Sequence, residues 1–214
     1  KSAGMPYTGA GVNLEEAKKP VYFIAGGRKI AICAGSQIER TLSFTQEATD
    51  TAPGVLKCLH PEIFCEEIRQ AKANADYVIV FPHWGTEGNA NYGEDKVALA
   101  RSFVEAGADV IIGGHTHCLQ TVEYMDNVPI YYSLGNYWFS ITGEMPADYD
   151  TGIAQIRIKE DGNIDAYFYP CRFSSGVTSL LNSEDSAYSN IIDSLNSLSE
   201  SAQIDKKGHI TKKQ

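Results

Sequence analysis

The stretch Ala108-Asp-Val-Ile-Ile-Gly-Gly-His-Thr-His117 decides the fold, because it repeats an earlier one, Ala75-Asp-Tyr-Val-Ile-Val-Phe-Pro-His83. Each is an apolar run that ends at a histidine. Each also follows a helix-like stretch, Pro61 to Lys72 before the first run and Glu94 to Glu105 before the second. Helices alternating with short, continuously apolar strands predict parallel strands buried on both faces, so the chain reads as α/β. Strands pointing the same way carry His83, His115 and His117 to one edge, and open α/β sheets bind ligands outside the carboxyl ends of their strands.

His115 and His117 stand one residue apart, and in an extended or tightly turned segment residues i and i+2 point the same way. Gly113 and Gly114 let the backbone turn sharply before them. Neutral imidazole is a good ligand for Zn, Mn and Fe, and three histidines with open positions suit hydrolysis better than a closed structural zinc. A divalent ion there would polarise a phosphoryl or carbonyl oxygen and lower the pKa of bound water towards neutrality. The remaining histidines, His60 and His209, lack this context.

A two-metal centre also needs a bridging carboxylate, and the candidates are Glu87, Asp95, Glu123, Asp148 and Asp150. Glu87 is nearest, in His83-Trp84-Gly-Thr-Glu87. It either orients an imidazole from behind, fixing its tautomer, or is a solvated loop carboxylate. Cys118 directly follows His117 and is an alternative ligand for a soft metal, but no CxxC pair accompanies it. Gly135-Asn136 reads as an ordinary turn pair. Tyr137 and Trp138 beside it are candidates for stacking on a substrate, against the commoner outcome of a buried aromatic.

Composition narrows the partners. A net charge of −9 argues against nucleic acid, whose phosphates require a Lys/Arg surface. With 214 residues and 43% hydrophobic content, the chain supports a sizeable core plus an appendage and reads as soluble and globular. No apolar run approaches the roughly 18 residues of a membrane span. The five cysteines are odd in number and widely spread, so they form no small disulfide framework.

Along the chain, Asn13 caps a short helical turn from Leu14 to Lys18, which Pro20 ends. Val21–Ile24 and Lys29–Ala34 read as a hairpin around Gly26-Gly27. Gln37 to Leu59 reads as a long surface loop. Leu119–Tyr124 and Pro129–Leu134, then Thr151–Lys159 and Ile164–Tyr169, predict antiparallel hairpins. Ser183 to Ser199 reads as an amphipathic helix with a cap at or near Ser183, and the Lys-rich last dozen residues as frayed. Neither a nucleotide P-loop nor a GxSxG elbow occurs.

Three segments together carry a family resemblance: His83-Trp-Gly-Thr-Glu87, Gly107-Ala-Asp-Val-Ile-Ile-Gly-Gly-His-Thr-His117, and Ile130-Tyr-Tyr-Ser-Leu-Gly-Asn-Tyr137. In this order they resemble successive motifs of the bacterial capsule synthesis protein family, the CapA or poly-γ-glutamate capsule type, within the calcineurin-like metallophosphatases. Gly9-Ala-Gly-Val-Asn-Leu-Glu-Glu-Ala17 is similar to that family too, so the likeness spans residues 4 to 140. The resemblance implies a four-layer α/β/β/α metallophosphatase-like sandwich in which His83, His115 and His117 are metal-binding. It places Glu87, Trp84, Asn136 and Tyr137 behind the ligands or at the rim of the site. It implies two divalent ions (Mn, Fe or Zn) in the complete protein, with a bridging aspartate and an Asn-His pair upstream of Lys1.

On that reading these residues are the carboxy-terminal part of a larger protein, whose amino-terminal segment is a partner of this chain. Residues 1–172 would then be the carboxy-terminal portion of the metallophosphatase-like domain, and 173–214 a helical extension packing on it. The resemblance implies an extracytoplasmic bacterial protein, membrane-associated through a segment outside this chain, with capsule polymer or the synthesis machinery as partner. Without the upstream ligands, the chain alone is not expected to be a competent phosphoesterase. Three readings of function stand: a metal-dependent hydrolase of capsule synthesis, a noncatalytic cell-surface scaffold or transport component, and a mononuclear zinc protein using His115, His117 and Cys118 or His83.

Overall fold

The computed structural model describes residues 4–37, 45–58, 61–139 and 148–213. The chain divides into two compact units, Lys1–Gly85 with Gly93–Gly113, and Thr86–Tyr92 with Gly114–Gln214.

In the first unit a small strand pair, β1 (Ala10–Gly11) and β4 (Gly54–Val55), accompanies α1 (Leu14–Ala17). The side chain of Asn13 accepts the Glu16 N–H at 2.9 Å, which is the N-cap read from the sequence. The main sheet starts with the hairpin β2 (Val21–Ala25) and β3 (Arg28–Ser36), closed by Gly26 and Gly27 at φ +56° and +75°. After α2 (Pro61–Asn74), β5 (Tyr77–His83) adds parallel to β3. After α3 (Gly93–Ala106), β6 (Val110–Ile112) adds parallel to β5. These are the two helix–strand repeats of the sequence. Phe64 of α2 meets Phe103 of α3 edge-on at 5.1 Å, and both are fully buried.

The repeated Ala-Asp pair has a structural role. Asp76 donates its N–H to the Lys29 carbonyl at 2.8 Å while its carboxylate accepts the Lys29 N–H at 2.7 Å. Asp109 does the same to Val78, with both bonds at 2.8 Å. Each aspartate therefore clamps both backbone groups of one residue on the neighbouring parallel strand. Lys72 donates to both carboxylate oxygens of Asp109, at 2.9 and 2.7 Å, and neutralises it.

The second unit is mostly antiparallel. It contains the hairpin β7 (Leu119–Met125) and β8 (Val128–Leu134), whose turn residue Asp126 has φ +57°. A longer hairpin follows, β9 (Asp148–Ile158) with β10 (Ile164–Ser174). The other edge of β10 takes β11 (Val177–Leu180) and β13 (His209–Lys212), and β13 pairs in turn with β12 (Ala202–Ile204). Helix α4 (Ser186–Leu198) buries Ile191, Ile192 and Leu195 of the face read from the sequence as Ile191, Ile192, Leu195 and Leu198, but Leu198 is exposed and Tyr188 is buried in addition. Its N-cap is Asp185 rather than Ser183.

Two expectations need correction. The Lys-rich tail contains strand, because Ile204 and Ile210 are buried in the sheet while Lys212 of β13 stays exposed. Residues 173–214 thus contain α4 but also β11, β12 and β13, and β10 straddles the expected 172/173 boundary. Of the expected surface loop 37–59, residues 38–44 and 59 lie outside the described residues, and residues 45–58 are not plain surface loop. Leu56 and Cys58 are buried, and the Ser36 N–H reaches the Leu56 carbonyl at 2.8 Å.

Burial pushes the Cys33 and Cys58 thiols up from 9.0 to about 12. The unfolded chain releases both protons near the lower value while the folded chain keeps them. The stability this contributes is full below about pH 9 and is lost as pH rises towards about 12. Urea midpoints are expected to fall between about pH 8 and about pH 10.5, and less steeply in the Cys33→Ala/Cys58→Ala double variant. Equal slopes for the two proteins would refute this account.

Candidate metal centre

The chain leaves β6 at Ile112 and, through two glycines, enters the turn His115-Thr116-His117 of the second unit. Both histidines have left-handed backbones, at φ +100° and +59°. For non-glycine residues this typically costs about 1–3 kcal/mol each, and it persists only where the surroundings enforce it. Thr116, between them, supplies part of that enforcement. It is fully buried, its hydroxyl donates to the Cys118 carbonyl at 3.0 Å, and its own carbonyl accepts the Gly88 N–H at 2.8 Å.

His117 is the best-defined group of the site. Its Nδ1 lies 2.8 Å from Oδ1 of Asn136. An amide oxygen only accepts, so Nδ1 carries the hydrogen and Nε2 presents a lone pair. That Nε2 faces Oε1 of Glu87 at 3.9 Å, too far for a hydrogen bond. Two electron-pair donors facing each other across such a gap suit a cation between them. The ring of Phe139 meets the His117 ring at 4.7 Å, and the His115 ring lies 6.2 Å from it.

Asn136 is only 7% exposed, and its Nδ2 has no hydrogen-bond partner among the described residues. A buried donor left unpaired costs about 1–3 kcal/mol, so this amide is suited to an oxygen that enters the site. Gly135, at φ +69°, makes the turn that delivers it; a Cβ there would lie 3.1 Å from the Asp150 carbonyl.

The structure thus brings together His115, His117, Glu87 and Asn136 within the second unit. His83 closes β5 in the first unit, exposed, with its carbonyl accepting the Gln37 N–H at 2.8 Å. Trp84, expected behind the ligands or at the rim, is a core residue: it is 0% exposed and stacks on Phe103 at 6.0 Å. Tyr137 and Trp138 are exposed, Trp138 to 69%, and the Tyr137 carbonyl accepts the Thr178 hydroxyl. Among the described residues, no group of three or more His, Cys, Asp or Glu side chains is gathered as a ready-made ion site.

The other carboxylates are placed by their bonds. Asp150 pairs with Arg172 at 2.8 Å, and Glu123 is held by backbone donors of residues 200 and 201. His209 packs its ring on Tyr167 at 4.9 Å, away from this chemistry, and His60 lies outside the described residues. Sequence reasoning missed Phe139, whose only signal was its place in the aromatic run after Asn136. It also missed Gln37, whose Oε1 accepts the Gly85 N–H at 3.0 Å and braces the turn after β5.

Comparison with known proteins follows the same lines. A family model described as bacterial capsule synthesis protein PGA_cap matches residues 1–140. The capsule biosynthesis protein CapA of Bacillus anthracis is 33% identical over 195 residues, covering 85% of this chain and 44% of that protein. The PGA biosynthesis protein CapA of Bacillus subtilis (strain 168) is 37% identical over 161 residues, covering 72% and 39%. This chain therefore spans about two-fifths of the length of these curated relatives. Among solved structures, a "putative 5′-nucleotidase" from Staphylococcus aureus in complex with α-ketoglutarate superposes with a TM-score of 0.50 at 14% identity, covering 88% of this chain and 36% of that one. At that identity the likeness is one of fold, and the fold is α/β of the metallophosphatase-like type.

Proposed function

This chain belongs to the bacterial capsule synthesis protein family, and from that membership we propose that it serves capsule polymer synthesis, of the poly-γ-glutamate kind, through a divalent-metal-dependent hydrolase site. The observation that carries the hydrolase reading is His117, with Nδ1 fixed by Asn136 and Nε2 turned to Glu87 across 3.9 Å. A donor set of imidazole nitrogen and carboxylate oxygen fits Mn, Fe or Zn.

His115 and His117 would hold the ion, and His83 enters the assignment on its motif alone. When bound, such an ion supplies Lewis-acid polarisation of a phosphoryl or carbonyl oxygen and acidifies water. The residues of the chain do the rest. Asn136 keeps the Nε2 lone pair of His117 available by holding the hydrogen on Nδ1. Its Nδ2, which has no partner among the described residues, would donate to a substrate oxygen, and Glu87 would face a cation opposite Nε2. Tyr137 and Trp138 offer exposed rings to a polymer or substrate group.

Capsule polymer or its synthesis machinery as partner, and an extracytoplasmic location, belong to this proposal. No helix among the described residues is long and apolar enough to cross a membrane.

Elemental analysis after incubation with manganese or zinc separates the readings. About one ion or more per chain, lost in His115→Ala, is expected, and metal-dependent hydrolysis of either a phosphodiester or a γ-glutamyl amide is expected of a protein extended to the length of the CapA relatives. Retained metal with neither bond cut would favour the scaffold. No retained metal would overturn the metal site on this chain.

A further inference from the structure

The segment Thr86–Tyr92 carries Glu87 and is tied into the second unit at its two ends and its middle. Gln120, 2% exposed on β7 three residues after His117, donates from its Nε2 to the carbonyls of Asn89 at 2.7 Å and Asn91 at 3.1 Å. Both amide hydrogens are thereby spent on the segment. The far end is held by Tyr92, whose ring stacks on Tyr132 at 4.3 Å and whose hydroxyl donates to Glu123 at 3.4 Å. The near end is held by the Gly88 N–H on the Thr116 carbonyl, at 2.8 Å.

From this arrangement we infer that Gln120 is a positioning residue, which holds Glu87 opposite His117 Nε2 by fastening residues 89 and 91 to the strand that follows the histidine turn. The inference rests on the metal-site reading for its chemical purpose. The physical reason is simple. Residues 86–92 contain no helix or strand of their own; a turn bond from the Asn89 N–H to the Thr86 carbonyl at 3.2 Å shapes the backbone at Glu87, and that turn must be fastened to the second unit to face His117. A buried side-chain amide spanning two carbonyls supplies that constraint from an element that also sets the position of His117.

The test compares Gln120→Met, Glu87→Gln and the double variant in the 214-residue chain. The readouts are manganese and zinc affinity, and hydrogen exchange at Gly88. Gln120→Met is expected to weaken metal binding by about 10–100-fold and to speed Gly88 exchange about 10-fold. Glu87→Gln is expected to weaken binding similarly but to leave Gly88 exchange unchanged. In the double variant the two losses should not multiply, since both act through one carboxylate. A general packing defect would instead give multiplying losses. Gln120→Glu, which keeps size and polarity but sets a carboxylate against two carbonyls, serves if the Met variant does not fold. Unchanged Gly88 exchange in the Gln120 variants, or fully multiplying losses, overturns the inference. If the wild-type chain takes up no metal, the metal reading alone fails, and Gly88 exchange then decides whether Gln120 holds the segment.

Discussion

His117→Ala is expected to lower manganese or zinc affinity by about 100-fold or more, with a thermal midpoint close to that of the wild type. The substitution removes an imidazole whose tautomer the structure fixes, and with it the nitrogen that faces Glu87. Asn136→Ala should give the smaller loss of about 10–100-fold, because it leaves the ligand in place and only frees its tautomer and ring orientation. The order of the two effects is the informative part. If Asn136→Ala weakened binding as much as His117→Ala, the amide would itself be a ligand. If His117→Ala bound metal as the wild type does, His117 would not be one. Titration calorimetry of the three proteins measures both, with circular dichroism to show that each remains folded.

The largest loss of stability is expected from Glu123→Ala, at roughly 3–5 kcal/mol. Glu123 is 6% exposed and its carboxylate accepts from the Glu200 N–H at 2.6 Å, the Ser201 N–H at 2.7 Å and the Ser201 hydroxyl. Tyr92 donates to it as well, at 3.4 Å. Alanine would strand these donors in the interior at once, leaving Thr121, which donates to the Leu195 carbonyl at 2.6 Å, and the Tyr124 N–H, which donates to the Ser201 hydroxyl oxygen at 2.8 Å, to tie β7 to the end of α4 and the residues after it. Glu123→Gln should cost less, because one acceptor oxygen survives. Urea unfolding gives the comparison, and a loss below about 1 kcal/mol for alanine would show that water takes over these bonds.

Glu123 also shows where sequence reading stops. As a letter it was one of five carboxylates that might bridge a metal. Only the pairing of β7 with residues 77 and 78 positions further on makes it a structural clamp. The helix–strand repeats were legible because their apolar runs are local, as were the Gly26-Gly27 hairpin and the Asn13 cap. The terminal strand β13 was hidden because its buried positions stand among lysines, and its partner β10 lies some 40 residues earlier in the chain. His115 and His117 were legible as a pair. The tautomer of His117 was not, since it depends on a side chain 19 residues away. Trp84 read as a site residue from its place between His83 and Glu87, whereas in the structure it is buried and stacks on Phe103.

The two aspartate clamps have a consequence for how errors in this sheet would propagate. A parallel strand that slips by one residue keeps most of its hydrogen bonds yet turns every side chain to the opposite face. For β5, such a slip would put Pro82 or Trp84 where His83 now stands beside Ser36. By locking a single residue of the adjacent strand at both its N–H and its carbonyl, Asp76 and Asp109 each remove the shifted alignments from competition at the start of the strand. They thus work as alignment marks: the accuracy with which β5 presents His83 at its far end is set seven residues earlier, by Asp76.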